Sequence, residues 1–442
     1  MERFADVLSK IEDALGVGDA RSAFTTLRPW IAYPGKVAAS DWGRAMEVLS
    51  RISREIAGDH LADLAAQATS LEDVQPLYDL GYELIEQELF DIAATVLARA
   101  VERRRDLPGL LSELVAALER DGLHVEACKW LRKAPALLDK GYVLRFLLAW
   151  NTAMSGDLDG ARTQMVSLTA PSTSGEAMML ERLRALLDRA GGIKRSTALD
   201  GDDLRGWHYV LHGSILLRVS PHGFKEGMRG RYAFTQDSEL RCREAIERMR
   251  LALGAMGVAI PRVFSLPDRA STILAIATAR ALDIPMEEWD SDTTDDPGVI
   301  VAYDLDAAGH DLLQQLQPHR PGQVLWEHAS RWVVDRPVAA DVVTYLYQYN
   351  VAPWAERSVV DRKTGDAIVT PADDSPAELI GARIAALDVP DGELTDADAL
   401  TAFSLACATV MHGGELATGA LREQGLRPRQ WTGGPVRSNR YR

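Results

Sequence analysis

The residues best placed to do chemistry lie at the end of one apolar run, Val299-Ile300-Val301-Ala302-Tyr303-Asp304-Leu305-Asp306. A buried strand that closes on Asp-x-Asp sets two carboxylates at its carboxyl end, where open α/β sheets bind ligands. Two such groups can share a Mg²⁺ ion, with a phosphorylated substrate supplying further oxygens. Asp304 and Asp306 are therefore the candidate catalytic pair, with Mg²⁺ as the one cofactor that reading admits. The plainer reading makes either aspartate the N-cap of a helix over 306–317. Glu287, Glu288, Asp290, Asp292, Asp295 and Asp296 crowd the preceding segment but lack the glycine and closing glutamate of a calcium loop. They read as a solvated acidic loop.

Six of the nine histidines fall between 208 and 328. His208 and His212 share a face in either a strand or a helix, yet no third ligand accompanies them. Glu327-His328 becomes interesting only if the fold carries it to Asp304. The glycines at 223, 227 and 230 do not follow a dinucleotide pattern and serve a turn, and there is neither a phosphate-binding P-loop nor a nucleophile elbow. Near the end of the sequence, Arg427, Arg429, Arg437, Arg440 and Arg442 follow the last acid, Glu423. This arginine-rich tail is an anion-binding candidate, unless it lies on the protein's own acidic surface.

The elements that carry these residues fall into two parts. From Phe4 to about Ala190, apolar residues recur at helical spacing between short Gly or Asp turns. A step of 34 residues relates Ala93, Ala127 and Ala161, then Leu97, Leu131 and Met165, and in the preceding helices Gly81, Val115 and Ala149. Gly122 and Gly156 keep the step between paired helices. Small residues at that interval let antiparallel helices cross closely and leave each pair open to the next.

This stretch, about 74–190, resembles the tetratricopeptide repeat (TPR) family. Val115 departs from the expected small residue, the usual closing proline is missing, and 1–70 cannot be placed in register. The resemblance implies an α-solenoid whose concave face is lined by the first helix of each pair. It places Gln75, Tyr78, Tyr82, Ile85 and Glu86 there, then Ser112, Ala116, Glu119 and Arg120, then Phe146, Trp150 and Met154. Tyr78, Tyr82, Phe146 and Trp150 would form an aromatic strip with Glu119 beside it, suited to a peptide or helix of another protein. The alternative is that these aromatics pack between helices.

After the linker at 191–203, strand and helix signals alternate, which predicts an α/β domain over 200–442 with a mixed sheet. Strands are expected at 208–220, 231–235, 262–265, 299–303 and 324–326, and helices at 238–256, 270–282, 306–317, 339–349, 376–387 and 395–411. A hairpin is expected at 358–370. The two domains are thus a helical repeat over 1–195 and an α/β domain over 200–442.

Composition narrows the function. The 442 residues carry 49 Lys and Arg against 64 Asp and Glu, a formal charge of −15. That balance disfavours nucleic acid as a partner, apart from the arginine tail. Three separated cysteines, Cys128, Cys242 and Cys407, exclude a disulfide framework and fit a reducing cytoplasm. No apolar run reaches the roughly 20 residues of a membrane helix, and the start shows no signal peptide. Scarce lysine beside abundant arginine and alanine hints at a GC-rich bacterial genome. The expectation is a cytoplasmic adaptor that binds a partner through the repeats. The other reading is a Mg²⁺-dependent enzyme of phosphoryl or nucleotide-sugar chemistry in the C-terminal domain.

Overall fold

The structure, a computed structural model, describes residues 3–290, 295–360, 367–412 and 425–439. It is mixed α and β, and no helix among the described residues is long and apolar enough to cross a membrane. Backbone contacts divide the chain into Met1–Leu183 and Arg184–Arg442.

The first unit is helical: α1 (Phe4–Gly16), α2 (Ala20–Ile31), α3 (Trp42–Ile56), α4 (Asp59–Gln67), α5 (Val74–Glu86), α6 (Phe90–Arg103), α7 (Pro108–Arg120), α8 (His124–Arg132), the single turn α9 (Pro135–Leu138), α10 (Tyr142–Met154), α11 (Leu158–Val166) and the start of α12 (Ser174–Ile193). Each helix from α1 to α8 packs on the next, and α10 packs on both α8 and α11. Asp73 and Asp157 cap α5 and α11 by accepting from the Gln75 and Gly160 amides. The core is the continuous apolar seam between these helices, with Leu77, Leu80, Leu97, Leu114 and Leu131 fully buried.

Two of the 34-residue columns have clear physical content. Gly81 faces Leu97, and a Cβ there would stand 2.5 Å from the leucine Cγ, so α5 and α6 meet at a distance only glycine permits. The turns after α5, α7 and α10 place Glu88, Gly122 and Gly156, again 34 apart, at φ of 57°, 70° and 93°. The first of these turns keeps the left-handed conformation without the glycine that favours it.

The second unit takes the rest of α12, because Arg189 is buried and donates to the carbonyls of Val210 and Leu211. Its elements are α13 (Leu204–His212), β1 (Ile215–Leu216), β2 (Tyr232–Gln236), α14 (Glu239–Ala255), β3 (Val263–Ser265), α15 (Arg269–Leu282), β4 (Met286–Glu288), β5 (Gly298–Ala302), α16 (His310–Leu316), β6 (Pro318–His319), β7 (Gln323–Arg331), β8 (Val342–Val351), β9 (Arg357–Val360), β10 (Ala367–Thr370), α17 (Ala377–Ala385), α18 (Ala397–His412) and β11 (Gly425–Leu426). The main sheet runs β4-β3-β5-β7-β8-β1, and β2 pairs with the later part of β8.

Every pairing in this sheet is parallel, so the expected mixed sheet is corrected. Antiparallel pairs among the described residues are confined to β9 with β10, β11 with β6, and one bridge. β5 is buried along its whole length, as a central parallel strand must be.

Three local expectations are overturned. The first five residues of the 208–220 strand are instead the end of helix α13, which Asp203 caps through the Gly206 amide and Gly213 ends at φ 66°, and Ile215–Leu216 of the rest form β1. The 339–349 helix is strand β8: Val342, Val343, Tyr345, Tyr347 and Tyr349 prefer a pleated surface, and β8 lies between β7 and β1/β2. The 306–317 helix is a 3₁₀ turn, Leu305–Ala307, followed by the short α16. The turn of the 358–370 hairpin, residues 361–366, lies outside the described residues, while its strands β9 and β10 pair as expected.

Candidate functional site

The sheet changes direction between β3 and β5. The chain leaves β3 through α15 to reach β4 on one side, and leaves β5 through α16 to reach β7 on the other. Ligands bind beyond the carboxyl ends of strands at such a switch point. A pocket of about 370 Å³ lies there, lined by Asp268, Tyr303, Asp304, Tyr349, Asn350 and Glu356 among others. Asp268 is fixed by capping α15 through the Ser271 amide, and the Ser271 hydroxyl accepts from the Tyr303 amide at 2.9 Å. The two loops that form the pocket are thereby stitched together.

Asp304 and Asp306 do not form an open carboxylate pair. Asp304 Oδ1 accepts from the Asp306 amide at 2.9 Å, and Oδ2 accepts from the Tyr347 hydroxyl. Asp306 stands 3.5 Å from Arg331 and 3.6 Å from Arg336. The cap expected of Asp304 is present, though on a 3₁₀ turn. Glu327 is carried close to Asp304, as the sequence left open: it accepts from the Leu305 amide and binds Arg336 through both oxygens. Burial, then the charge of Glu327, pushes the Asp304 carboxyl up to about 6, against the pull of Tyr347. A pocket carboxyl near 6 exchanges a proton close to neutrality, which suits acid–base work better than metal binding.

Behind Tyr303 lies a second constellation. Its hydroxyl donates to Asp237 Oδ2 at 2.9 Å and accepts from Asn350 Nδ2 at 3.2 Å. The same Asp237 oxygen lies 2.9 Å from His328 Nε2 and 3.5 Å from Cys242 Sγ, and the sulfur lies 3.7 Å from His328 Nε2. Asp237 directly follows β2, Cys242 lies in the first turns of α14, and His328 sits within β7; all three are buried. Burial would raise the Asp237 carboxyl, but His328 and Arg241 outweigh it and hold it below the ordinary range. Burial, then Asp237, pushes the Cys242 thiol far up. Sequence reasoning missed Asp237 and Cys242. The available signal was local: Asp237-Ser238 follows a strand and caps α14.

His208 and His212 do share a helix face, with ring centroids 4.8 Å apart. Burial pushes His212 down to about 3 and His208 well below its ordinary value. No acid or cysteine joins them in a metal-binding cluster among the described residues.

In the first unit the aromatic strip is not continuous. Tyr82 is 46% exposed and Tyr78 is half-buried beside a pocket of about 260 Å³ shared with Val74, Gln75, Leu107 and Pro108. Phe146 and Trp150 are buried, stacked at 6.2 Å, and Arg182 lies 3.5 Å over the Trp150 ring. Those two aromatics are core, covered from α12, and are corrected as partner contacts. Glu119 accepts at 2.6 Å from Asn151, which also bonds His124. Glu113, on α7, is pushed up by burial and by Glu86.

Within the arginine tail, Arg427 is corrected as an anion-binding candidate. Arg427 is buried, paired with Asp341 at 3.0 Å and donating to the carbonyls of Leu316 and Pro318. Arg429 lies over Trp431, Arg437 is exposed, and Arg440 lies outside the described residues. The acidic segment is partly neutralised in place. Arg262 binds Glu287 and Asp296, and Arg320 lies 3.3 Å from Asp295, while Asp292 is outside the described residues. No family model matches this chain, and no curated protein matches it.

Proposed function

We propose that the protein is an adaptor whose helical unit, a TPR-like array, captures a basic segment of a partner protein, with the α/β unit as an output or second binding module. The observation that carries this reading is the uncovered strip on α5, where exposed Tyr82 and half-buried Tyr78 stand beside Glu86 and the raised carboxyl of Glu113. A carboxyl pushed up by burial and by a neighbouring acid is relieved by a cation, and the tyrosines supply rigid contact area. The equally spaced left-handed turns at Glu88, Gly122 and Gly156 support a repeated hairpin. Peptides selected on the full chain from a displayed random library should be enriched in Lys or Arg. Tyr82→Ala should weaken them by tenfold or more, and Glu113→Gln should weaken them and flatten their salt dependence. Peptides that bind both variants as well as the natural protein would remove this reading.

The pocket beside Asp304 favours a second reading, an enzyme acting on a small polar molecule. Asp304 then works as an acid–base group rather than as half of a Mg²⁺ site, since its partner Asp306 is engaged by arginines. Thermal shifts with Mg²⁺ and with nucleotides distinguish the two forms. A shift with Mg²⁺ alone, lost in Asp304→Asn, restores the metal, whereas a flat response to both removes the nucleotide reading.

A further inference from the structure

The geometry points to a zinc-type metal site formed by Asp237 Oδ2, Cys242 Sγ and His328 Nε2, beneath the pocket of the α/β unit and independent of partner capture. These three atoms come from the residue after β2, the start of α14 and the body of β7, and they lie 2.9, 3.5 and 3.7 Å apart. Zinc bonds of about 2.3 Å to sulfur, 2.0–2.1 Å to nitrogen and 2.0 Å to oxygen, set tetrahedrally, put ligand atoms about 3.3–3.6 Å from one another. The observed triangle fits those edges with only the Asp–His side needing to open, by a few tenths of an ångström.

The chemistry of the donors agrees. Thiolate, imidazole and carboxylate together suit zinc and its neighbours rather than Mg²⁺ or Ca²⁺, which take oxygen alone. Asp237 Oδ1 is already committed to the Ser238 amide at 2.8 Å, which leaves Oδ2 as a single directed ligand. Tyr303 donates to that same oxygen, the kind of outer contact that orients a ligating carboxylate. One carboxylate and one thiolate neutralise a divalent ion, so the buried cluster would carry no net charge. Tyr303 also belongs to the pocket wall, so its hydroxyl links the cluster to the pocket. The ion would pin β2, α14 and β7 together where the ligand site is built.

The test is metal content and cobalt spectroscopy of the full chain. Protein purified from zinc-supplemented medium should hold one equivalent of zinc through gel filtration. Replacing the ion with Co²⁺ should give a near-ultraviolet thiolate-to-cobalt band and the intense visible bands of a tetrahedral site. The near-ultraviolet band should vanish in Cys242→Ser, and zinc retention should fall at least tenfold in His328→Gln. Folded wild-type protein with no thiolate band overturns the proposal, as does zinc held equally by wild type and both variants. If either variant fails to fold, the wild-type cobalt spectrum decides alone.

Discussion

Arg336→Met is expected to destabilise the α/β unit by about 3–5 kcal/mol, the range found when one partner of a buried ion pair is removed. Arg336 is 3% exposed and Glu327 fully buried. The guanidinium binds both Glu327 oxygens, donates to the Ser330 hydroxyl at 2.8 Å and contacts the Gln430 side chain, while the Arg336 amide donates to the Gln430 carbonyl. Its loss leaves Glu327 among Asp304 and Asp306, three carboxyls in a low-dielectric site with Arg331 beside Asp306. It also removes one side-chain contact of Gln430, which keeps its own bonds to Ser330 and Arg331. Urea unfolding of the full chain, read on the transition of the α/β unit, measures the cost. The double variant Arg336→Met, Glu327→Gln should recover much of it, because a neutral amide can still accept from the Leu305 amide. A single-variant loss below about 1 kcal/mol would mean that the Arg336–Glu327 pair does not hold this unit together.

The same network shows what sequence reading can and cannot reach. β5, α14, α15, α17 and α18 are legible because a continuous apolar run, a cap or a helical period marks each of them locally. β8 is not, since a run buried on both faces has no alternation to separate strand from helix. α13 is hidden for a different reason: its Asp203 cap lies in an Asp- and Gly-rich stretch that reads as linker. The 34-residue step predicts close helix crossings, and Gly81 against Leu97 is one. Periodicity cannot say which aromatic side a later helix covers, so it sets Phe146 and Trp150 on a face that α12 in fact covers. Arg427 looked like part of a tail because its partner Asp341 is 86 residues away. Asp237 and His328, 91 residues apart, meet only because β2 and β7 both flank β8. Asp304 was legible because the end of a buried central strand is a position fixed by topology class alone.

That position makes Asp304→Asn the most informative substitution in the pocket, and its expected sign is unusual. Burial first, and Glu327 next, move the Asp304 carboxyl from its ordinary 3.8 up to about 6, with Asp306 adding to the effect and Tyr347 and the Asp306 amide opposing it. A raised carboxyl holds its proton more tightly in the native state than in the unfolded chain. Its contribution to stability is therefore full below about pH 3.8, falls as pH rises between 3.8 and 6, and is lost above. The displacement corresponds to about 3 kcal/mol. Asparagine has the shape of the protonated acid, can still accept from the Asp306 amide on its oxygen while its amide nitrogen donates to the Tyr347 hydroxyl oxygen, and never ionises. The variant should match the natural protein near pH 3.5 and exceed it by up to about 3 kcal/mol at pH 7.5. Carboxyls held low elsewhere in this unit, such as Asp396 with Arg205 and Arg248, titrate alike in both proteins and cancel in the difference. Paired urea unfolding curves across this range read that difference directly. A variant less stable at pH 7.5, or a gap that does not change with pH, would mean that Asp304 is ionised and well solvated in the native pocket. Such a carboxyl would have no store of proton affinity for acid–base work, and the second reading of the pocket would fall with it.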